Sequence, residues 1–144
     1  MFKFSQRSED NLNGVHPDLI KVVHRALQLS AVDFTVIEGV RTKARQKELF
    51  AKKATKTMNS RHLTGHAVDL VPYPLDWNNK HAFEQVAQAM LKAAKELGIA
   101  IRWGGDWNIN GRSDDENFYD GPHFELLRSV YPVSYTHLTL PTIA

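Results

Sequence analysis

The chain has 144 residues, which suits one domain and leaves no room for a second independent core. Its 42% hydrophobic and 24% charged residues are typical of a globular protein, and no apolar run approaches the ~20 residues that a membrane span needs. The net charge of +2 is too small to predict nucleic-acid binding. Because cysteine is absent, disulfides and thiolate metal sites are excluded, and any metal ion must be held by histidines and carboxylates.

The first half of the chain predicts two helices with a short strand between them. Residues 18–30 have the apolar spacing of a helix with one broad buried face, and residues 34–37 are β-branched and aromatic, as in a strand. Thr42 is a typical N-cap for a helix that runs to about residue 53. The expected buried anchors of that helix are Ala44, Leu49 and Phe50.

The second half predicts one long helix between strands. After a polar loop at 54–61, residues 66–73 and 99–103 read as strands, and the helix between them spans 80–97. A long loop at 104–121 then leads to a final strand at 123–127. The predicted fold is α+β, with a small antiparallel sheet packed against about three helices. The apolar side of the long helix consists of Phe83, Val86, Ala87, Met90, Leu91, Ala94 and Leu97.

Residues 133–144 are unlike the rest of the chain. Their sequence, VSYTHLTLPTIA, resembles a translated sequencing-adaptor (transposon mosaic-end) read-through more than the sequence of a protein family. The alternative is a native terminal strand, since the segment is rich in Thr, Tyr and Leu. We expect residues 1–132 to form the domain, 133–144 to be a non-native tail, and His137 within it not to be a ligand.

Residues 60–69, SRHLTGHAVD, and 120–123, DGPH, contain the groups that best fit a chemical site. His62, Asp69 and His123 offer two imidazoles and a carboxylate, a set that suits one zinc ion and leaves its fourth position open for water. Asp120 would be the carboxylate that accepts a proton from that water. An odd number of positions separates His62 from Asp69, so a turn is needed between them, and Gly65 is the natural place for it.

From spacing alone, a purely structural interpretation stays open. A single histidine beside a strand is usually a surface or hydrogen-bonded residue, and an aspartate in an apolar stretch is often a cap. His66 is the strongest competing ligand, because it lies four positions after His62 and would share its face in a helix. Gly65 and the β-branched residues after it argue against a helix there. The other available histidines are His16, His24, His81 and His137.

The pattern Ser60-x-His62-x-x-Gly65-x-Ala67-x-Asp69 resembles the signature of a family of zinc peptidases. This family comprises the D,D-carboxypeptidases (VanY-like) and the L-alanyl-D-glutamate endopeptidases, which cut peptidoglycan stem peptides. The hedgehog signalling domain belongs to the same clan. The resemblance implies the hedgehog/D,D-peptidase-like fold and covers nearly the whole chain to about residue 132.

Carried over by motif, the resemblance implies that His62, Asp69 and His123 are zinc ligands and that Asp120 is the catalytic base. Residues 39–42 resemble the family's arginine segment, which makes Arg41 the cation beside the scissile carbonyl. In that role it would stabilise developing negative charge by ~3 kcal/mol. The alternative for Arg41 is a structural salt bridge at the start of a helix.

The last motif favours one branch of the family. D,D-carboxypeptidases commonly carry Glu-x-Trp-His, whereas this chain has Asp-Gly-Pro-His at 120–123. Segments 76–78, 94–98 and 102–108 resemble phage endolysins of the L-alanyl-D-glutamate endopeptidase branch. Pro122 departs from the glycine that is common at this position of the branch.

The resemblance implies a zinc metallopeptidase that hydrolyses the L-alanyl-D-glutamate bond of stem peptides, as a phage endolysin. The alternatives are a D-alanyl-D-alanine carboxypeptidase and a non-catalytic, zinc-stabilised binding module. Asp120 argues against the binding module, because a pure binder needs no base beside the metal ion.

The expected partner is the peptidoglycan stem peptide, with no nucleic acid and no membrane, and the expected state is a monomer. The first ten residues carry charges without an apolar block behind them, so they do not predict a secretory signal. We therefore expect the protein in the host bacterial cytoplasm until it is released to the cell wall.

Overall fold

The computed structural model describes residues 2–53, 60–109 and 119–132. The tail at 133–144, most of the polar segment 54–61 and much of the loop 104–121 therefore lie outside the described residues. The described elements, in chain order, are α1 (Gln6–Asn11), α2 (Pro17–Leu29), β1 (Phe34–Glu38), α3 (Lys43–Ala51), a 3₁₀ helix (Arg61–Thr64), β2 (Ala67–Pro72), α4 (Lys80–Leu97), β3 (Ile101–Trp103) and β4 (His123–Leu126).

The four described strands form one antiparallel sheet in the order β1-β2-β4-β3. The last strand in sequence, β4, therefore lies between β2 and β3. Its register places Asp69 of β2 opposite His123, and Ala67 opposite Glu125. Residues that are more than fifty positions apart in the sequence thus become neighbours in the sheet.

Alternation of side chains gives the sheet two different faces. One face joins the apolar sides of α2 and α4 in the main hydrophobic core, to which the central strands contribute Val68, Leu70, Phe124 and Leu126. The intervening residues Asp69, His123 and Glu125 point to the other face. The predicted α+β fold, a small antiparallel sheet packed against helices, is confirmed.

The two long helices agree with the sequence prediction to within one residue. Helix α2 begins at Pro17, and α4 ends at Leu97 with Gly98 as its C-cap, whose backbone is left-handed with φ 72°. Asn79 caps α4 by accepting a hydrogen bond from the N–H of Ala82. No helix in the described ranges is long and apolar enough to cross a membrane.

Helix α1 was not predicted, because its sequence is polar and too short for a clear period. Its stability comes from tertiary contacts with β1. The Oγ of Ser8 accepts a hydrogen bond from the N–H of Val36, and the Nδ2 of Asn11 donates to the carbonyl of the same residue. A helix of this length is marginal on its own, so only the folded chain explains it.

The predicted anchors of α3 were wrong. Ala44 and Phe50 are exposed, Leu49 is partly buried, and the buried residue of the helix is Gln46. The reason is that α3 packs beside the polar face of the sheet, where Gln46 meets the guanidinium of Arg41. A hydrophobic pattern cannot reveal a helix whose inward contact is a hydrogen bond.

Two of the predicted core positions of α4 were also wrong. Leu91 and Leu97 are 42% and 41% exposed, whereas Ala89 and Ala93 are buried. The side of α4 that faces α2 and the sheet is thus lined partly by alanine. Small side chains allow closer packing there than leucine would.

Gly65 forms the turn that separates the 3₁₀ helix from β2. Its backbone is left-handed, with φ 76°, and a Cβ added there would lie 2.5 Å from the carbonyl oxygen of Gly14. The Gly65 carbonyl also accepts a hydrogen bond from the N–H of His16. The turn predicted at this glycine is present, and it packs tightly against the connection between α1 and α2.

We expect Gly65→Ala to lower the free energy of unfolding by more than Gly98→Ala does. Both positions have a left-handed backbone, which costs an alanine ~1 kcal/mol. A Cβ at Gly98 meets nothing within 4 Å among the described residues, whereas at Gly65 it meets backbone. Urea unfolding of the two variants provides the comparison. Equal losses of unfolding free energy would show that the contact with Gly14 does not add to the cost of Gly65→Ala.

Candidate active site

The three predicted metal ligands meet on the polar face of the sheet. Asp69 and His123 are directly opposite each other on β2 and β4, and His62 comes from the 3₁₀ helix just before β2. One ligand atom of each lies within 4.8 Å of the others, so the group could hold a metal ion. We expected His62 on a loop; it lies instead on a 3₁₀ turn that Ser60 caps by accepting its N–H.

The outer nitrogen of each imidazole is fixed by an acceptor. His62 Nδ1 donates to the carbonyl of Gly39 at 2.8 Å, and His123 Nε2 donates to the carboxylate of Glu125 at 2.8 Å. In a neutral ring the other nitrogen then carries a lone pair. These two nitrogens lie 3.2 and 3.5 Å from Asp69 Oδ1. Lone pairs would repel the carboxylate, so the geometry favours a cation among the three atoms.

The charges of the group lead to the same conclusion. Burial alone would raise the pKa of Asp69, but the imidazoles of His62 and His123 hold it well below its usual range. Burial alone would lower the pKa of His123, but its hydrogen bonds with Asp69 and Glu125 raise it to about 9. The carboxylates therefore stabilise positive charge at this point, which either protons or a metal ion can supply.

Glu125 lies behind His123 on the same face of β4. Its side chain is buried, and its second oxygen accepts a hydrogen bond from Arg102 at 2.9 Å. Burial alone would raise the pKa of Glu125, but His123 and Arg102 hold it below its usual value. The residue is thus an ionised acceptor that fixes the orientation of one imidazole, a common arrangement in metal sites.

Asp120 lies on the turn that leads into β4. Its N–H donates to the carbonyl of Gly104 at 2.8 Å, and the N–H of Gly104 donates to the carbonyl of His123 at 2.7 Å. A Cβ at Gly104 would lie 2.2 Å from the Asp120 carbonyl oxygen, so glycine is needed for this approach. Burial raises the pKa of Asp120, although the nearby His123 opposes the shift.

Arg41, predicted as the carbonyl-side cation, is buried beside the group. Its guanidinium donates to Glu38 at 2.5 Å and to Gln46 at 2.7 Å, and Nη2 lies 3.6 Å from Asp69 Oδ2. The structural salt bridge considered from the sequence is therefore present. Arg41 also borders the cavity, so the two interpretations are compatible.

These groups open onto one cavity of about 860 Å³. A second part of its lining is aromatic: Trp77 stacks on Phe83 with ring centroids 5.6 Å apart, and Tyr119 lies nearby. The ammonium of Lys80 lies 4.7 Å from the centre of the Tyr119 ring. The cavity thus combines the candidate metal group with an aromatic wall, a combination typical of ligand sites. Its lining includes all five predicted site residues, Arg41, His62, Asp69, Asp120 and His123.

The competing histidines do not join the group. His66 Nδ1 lies 2.7 Å from Thr64 Oγ1, and its ring packs against His16. Burial lowers the pKa of His66, as expected for a neutral structural histidine. His24 pairs with Glu9, His81 is exposed, and His137 lies outside the described residues.

Sequence reasoning missed the residues that support the site. Glu38 and Gln46 orient Arg41, and Glu125 orients His123. A signal for Glu125 was present, since it lies two positions after His123 on a predicted strand and must share its face. No comparable signal existed for Gln46, because its contact depends on how α3 packs.

Two imidazoles and a carboxylate around one point, with a further carboxylate on the same cavity, define a candidate mononuclear metal centre of the kind found in hydrolases. Residues 1–127 match the family model described as phage L-alanyl-D-glutamate peptidase, and the chain belongs to this family. The family resemblance inferred from the motifs is confirmed.

Individual relatives support the same family. The chain is 44% identical over 135 residues to the L-alanyl-D-glutamate peptidase of Escherichia phage T5, an alignment that covers 88% of this chain and 98% of the relative. The crystal structure of the L-Ala D-Glu endopeptidase ChiX of Serratia marcescens matches with a TM-score of 0.79 at 44% identity, over 92% of this chain and 95% of that one.

A more distant likeness supports the fold alone. The LD-carboxypeptidase LdcB matches with a TM-score of 0.52 at 20% identity, over 92% of this chain and 76% of that one. The D,D-dipeptidase VanXYg matches with a TM-score of 0.50 at 14% identity, over 87% and 58% respectively. The predicted D,D-peptidase-like fold is therefore confirmed.

Proposed function

We propose that this chain is a zinc-dependent phage endolysin that hydrolyses the L-alanyl-D-glutamate bond of peptidoglycan stem peptides. The observation that carries the proposal is the meeting of His62, Asp69 and His123 on one cavity with Asp120, in a member of this peptidase family. We assign the first three residues as metal ligands, and Asp120 and Arg41 as the residues that act on the substrate.

The donor set supports zinc as the metal ion. Two imidazole nitrogens and one carboxylate oxygen suit a zinc site that keeps one position for water or substrate. The outer nitrogens are already fixed by Gly39 and Glu125, so both rings present their other nitrogen towards Asp69. When bound, zinc supplies Lewis-acid polarisation of water and of the scissile carbonyl.

In this proposal Asp120 moves the proton. A carboxylate at the edge of the cavity accepts the proton of the attacking water and then delivers it to the leaving amine. Burial raises the pKa of Asp120, which makes it a better base than an exposed aspartate. Its N–H donates to the carbonyl of Gly104 and its carbonyl accepts from the N–H of His123, and these two bonds hold it in position.

Arg41 acts on the scissile carbonyl. Its guanidinium is held by Glu38 and Gln46, so it is oriented before the substrate binds. A fixed cation at the cavity wall stabilises the negative charge that develops on the carbonyl oxygen. The ion pair with Glu38 reduces its net field but fixes its position.

We further propose that residues 1–132 form the catalytic domain and that the protein acts as a monomer. Tyr131 supports the C-terminal limit of the domain, because its carbonyl accepts a hydrogen bond from Arg61 and its hydroxyl donates to Asp18. The stem peptide is the proposed partner, which the protein reaches after release from the host cytoplasm.

The bond that is cut provides the direct test. Purified zinc-loaded protein should release stem peptides with a free amino group on glutamate and leave alanine on the glycan, as identified by mass spectrometry of digested muropeptides. Release of terminal D-alanine would assign a carboxypeptidase instead. Intact muropeptides would contradict both activities.

Replacing Asp120 should separate catalysis from metal binding. We expect Asp120→Asn to lower kcat by about 10²–10⁴-fold, because the proton transfer is lost, while one equivalent of zinc stays bound. His123→Ala is the contrasting variant, since it should lose the metal ion itself. Metal analysis beside muropeptide hydrolysis distinguishes them, and an Asp120→Asn protein at wild-type rate would exclude the proposed base.

Glu125 should control metal affinity without touching the metal ion. Glu125→Ala removes the acceptor for His123 Nε2 and should weaken Zn²⁺ binding by about 10–100-fold. Glu125→Gln keeps an amide oxygen and should lose less. Competition with a chromophoric chelator measures the affinity, with the exposed Glu96→Ala as control. Wild-type affinity in Glu125→Ala would show that the hydrogen bond does not orient the ligand.

A further inference from the structure

Lys80 is a cation on the cavity wall, and no carboxylate of the described residues pairs with its charge. Among the described residues its recorded contact is with the Tyr119 ring, 4.7 Å from the ammonium to the ring centre, and no carboxylate lies within ion-pair distance. Two other cations of the cavity differ in this respect. Arg41 pairs with Glu38, and Arg128 lies 3.9 Å from a carboxylate oxygen of Glu125.

The position of Lys80 in its helix does not explain its charge. Lys80 is the first residue of α4, and no acidic residue lies in the first turn. A positive side chain at a helix N-terminus is opposed by the helix dipole, so a lysine here does not help the helix. Its ammonium instead lies over an aromatic ring that lines the cavity.

The wall that carries Lys80 lies towards the amine side of the bond to be cut. In the proposed mechanism Asp120 delivers a proton to the leaving amine, so the amine side of the substrate lies at Asp120. Tyr119 directly precedes Asp120, and a Cβ at Gly121 would touch both Tyr119 and Phe83. The ring that holds the Lys80 ammonium is therefore next to the residue that meets the leaving group.

The amine-side residue of an alanyl-glutamate bond carries an extra negative charge. Glutamate has two carboxyl groups, and the peptide can continue through only one of them. The other remains a free carboxylate unless it is amidated. An ammonium with three donors on an aromatic surface is chemically complementary to such a group.

We propose that Lys80 binds the free carboxylate of the glutamate on the amine side of the scissile bond. The Tyr119 ring holds the ammonium at the cavity wall, and the stacked rings of Trp77 and Phe83 provide an apolar surface for the glutamate methylenes. This inference rests on the proposed function. It makes Lys80 a specificity-determining residue that distinguishes glutamate from its amide.

The test uses two short peptides that contain the alanyl-glutamate bond and differ only in the free carboxyl group, which is a carboxylate in one and a carboxamide in the other. For zinc-loaded wild-type protein we expect kcat/KM to favour the carboxylate by about fivefold at low salt, the upper range for an ion pair of an exposed lysine. The preference should decrease with ionic strength because salt screens exposed charges.

Variants assign the preference to Lys80. Lys80→Gln should bring the ratio of the two kcat/KM values close to one, whereas Lys80→Arg should retain the preference. Lys92→Gln, an exposed lysine on the same helix, is the matched control and should leave the ratio unchanged. The thermal midpoint of Lys80→Gln should change little, because relief from the unfavourable helix dipole offsets the lost contact with the Tyr119 ring.

The outcomes separate this inference from the proposed function. If the wild type cuts both peptides at equal rates, or if Lys80→Gln keeps the wild-type ratio, carboxylate recognition by Lys80 is wrong while the peptidase assignment stands. If the wild type cuts neither of these peptides nor muropeptides, both proposals fail together. Retention of the preference by Lys80→Arg, with its loss in Lys80→Gln, would establish charge as the cause.

Discussion

The pairing of Asp69 with His123 across β2 and β4 is the constraint on which the rest of the site depends. Because the two strands are antiparallel and in this register, the carboxylate and the imidazole are neighbours on the same face of the sheet. A slip of β4 by one residue would turn His123 into the apolar core and bring Phe124 out to the polar face. The hydrophobic core therefore fixes the register, and the register fixes two of the three proposed ligands.

The polar face of the sheet needs more partners than the proposed ligands alone, because buried polar groups are costly unless they are hydrogen-bonded. Glu125 accepts a hydrogen bond from His123 and another from Arg102, and the carbonyl of Gly39 accepts one from His62. These contacts also decide which nitrogen of each ring faces Asp69. The same hydrogen bonds that make burial tolerable thus prepare the group for a cation.

The parts of the fold that the sequence predicted well are those in which local pattern and tertiary packing agree. Helices α2 and α4 have strong apolar periods and clear caps, and the predicted strands were found within two residues of their bounds, most with their apolar residues in the core. The prediction failed for α1 and for the inward side of α3, where Ser8, Asn11 and Gln46 make the decisive contacts through hydrogen bonds. Polar contacts of this kind produce no hydrophobic periodicity in the sequence.

By itself the sequence determined the ligand types, the need for a turn at Gly65 and, through its motifs, the family. Residue identity and local backbone freedom are properties of short segments, so they can be read without coordinates. The motif also favoured His62 over His66, and the structure places His62 beside Asp69. Only the tertiary structure decided that Glu125 lies behind His123 and that Lys80 meets Tyr119 on the cavity wall. These are relations between distant segments, and they follow from strand register and helix packing, which the whole core sets together.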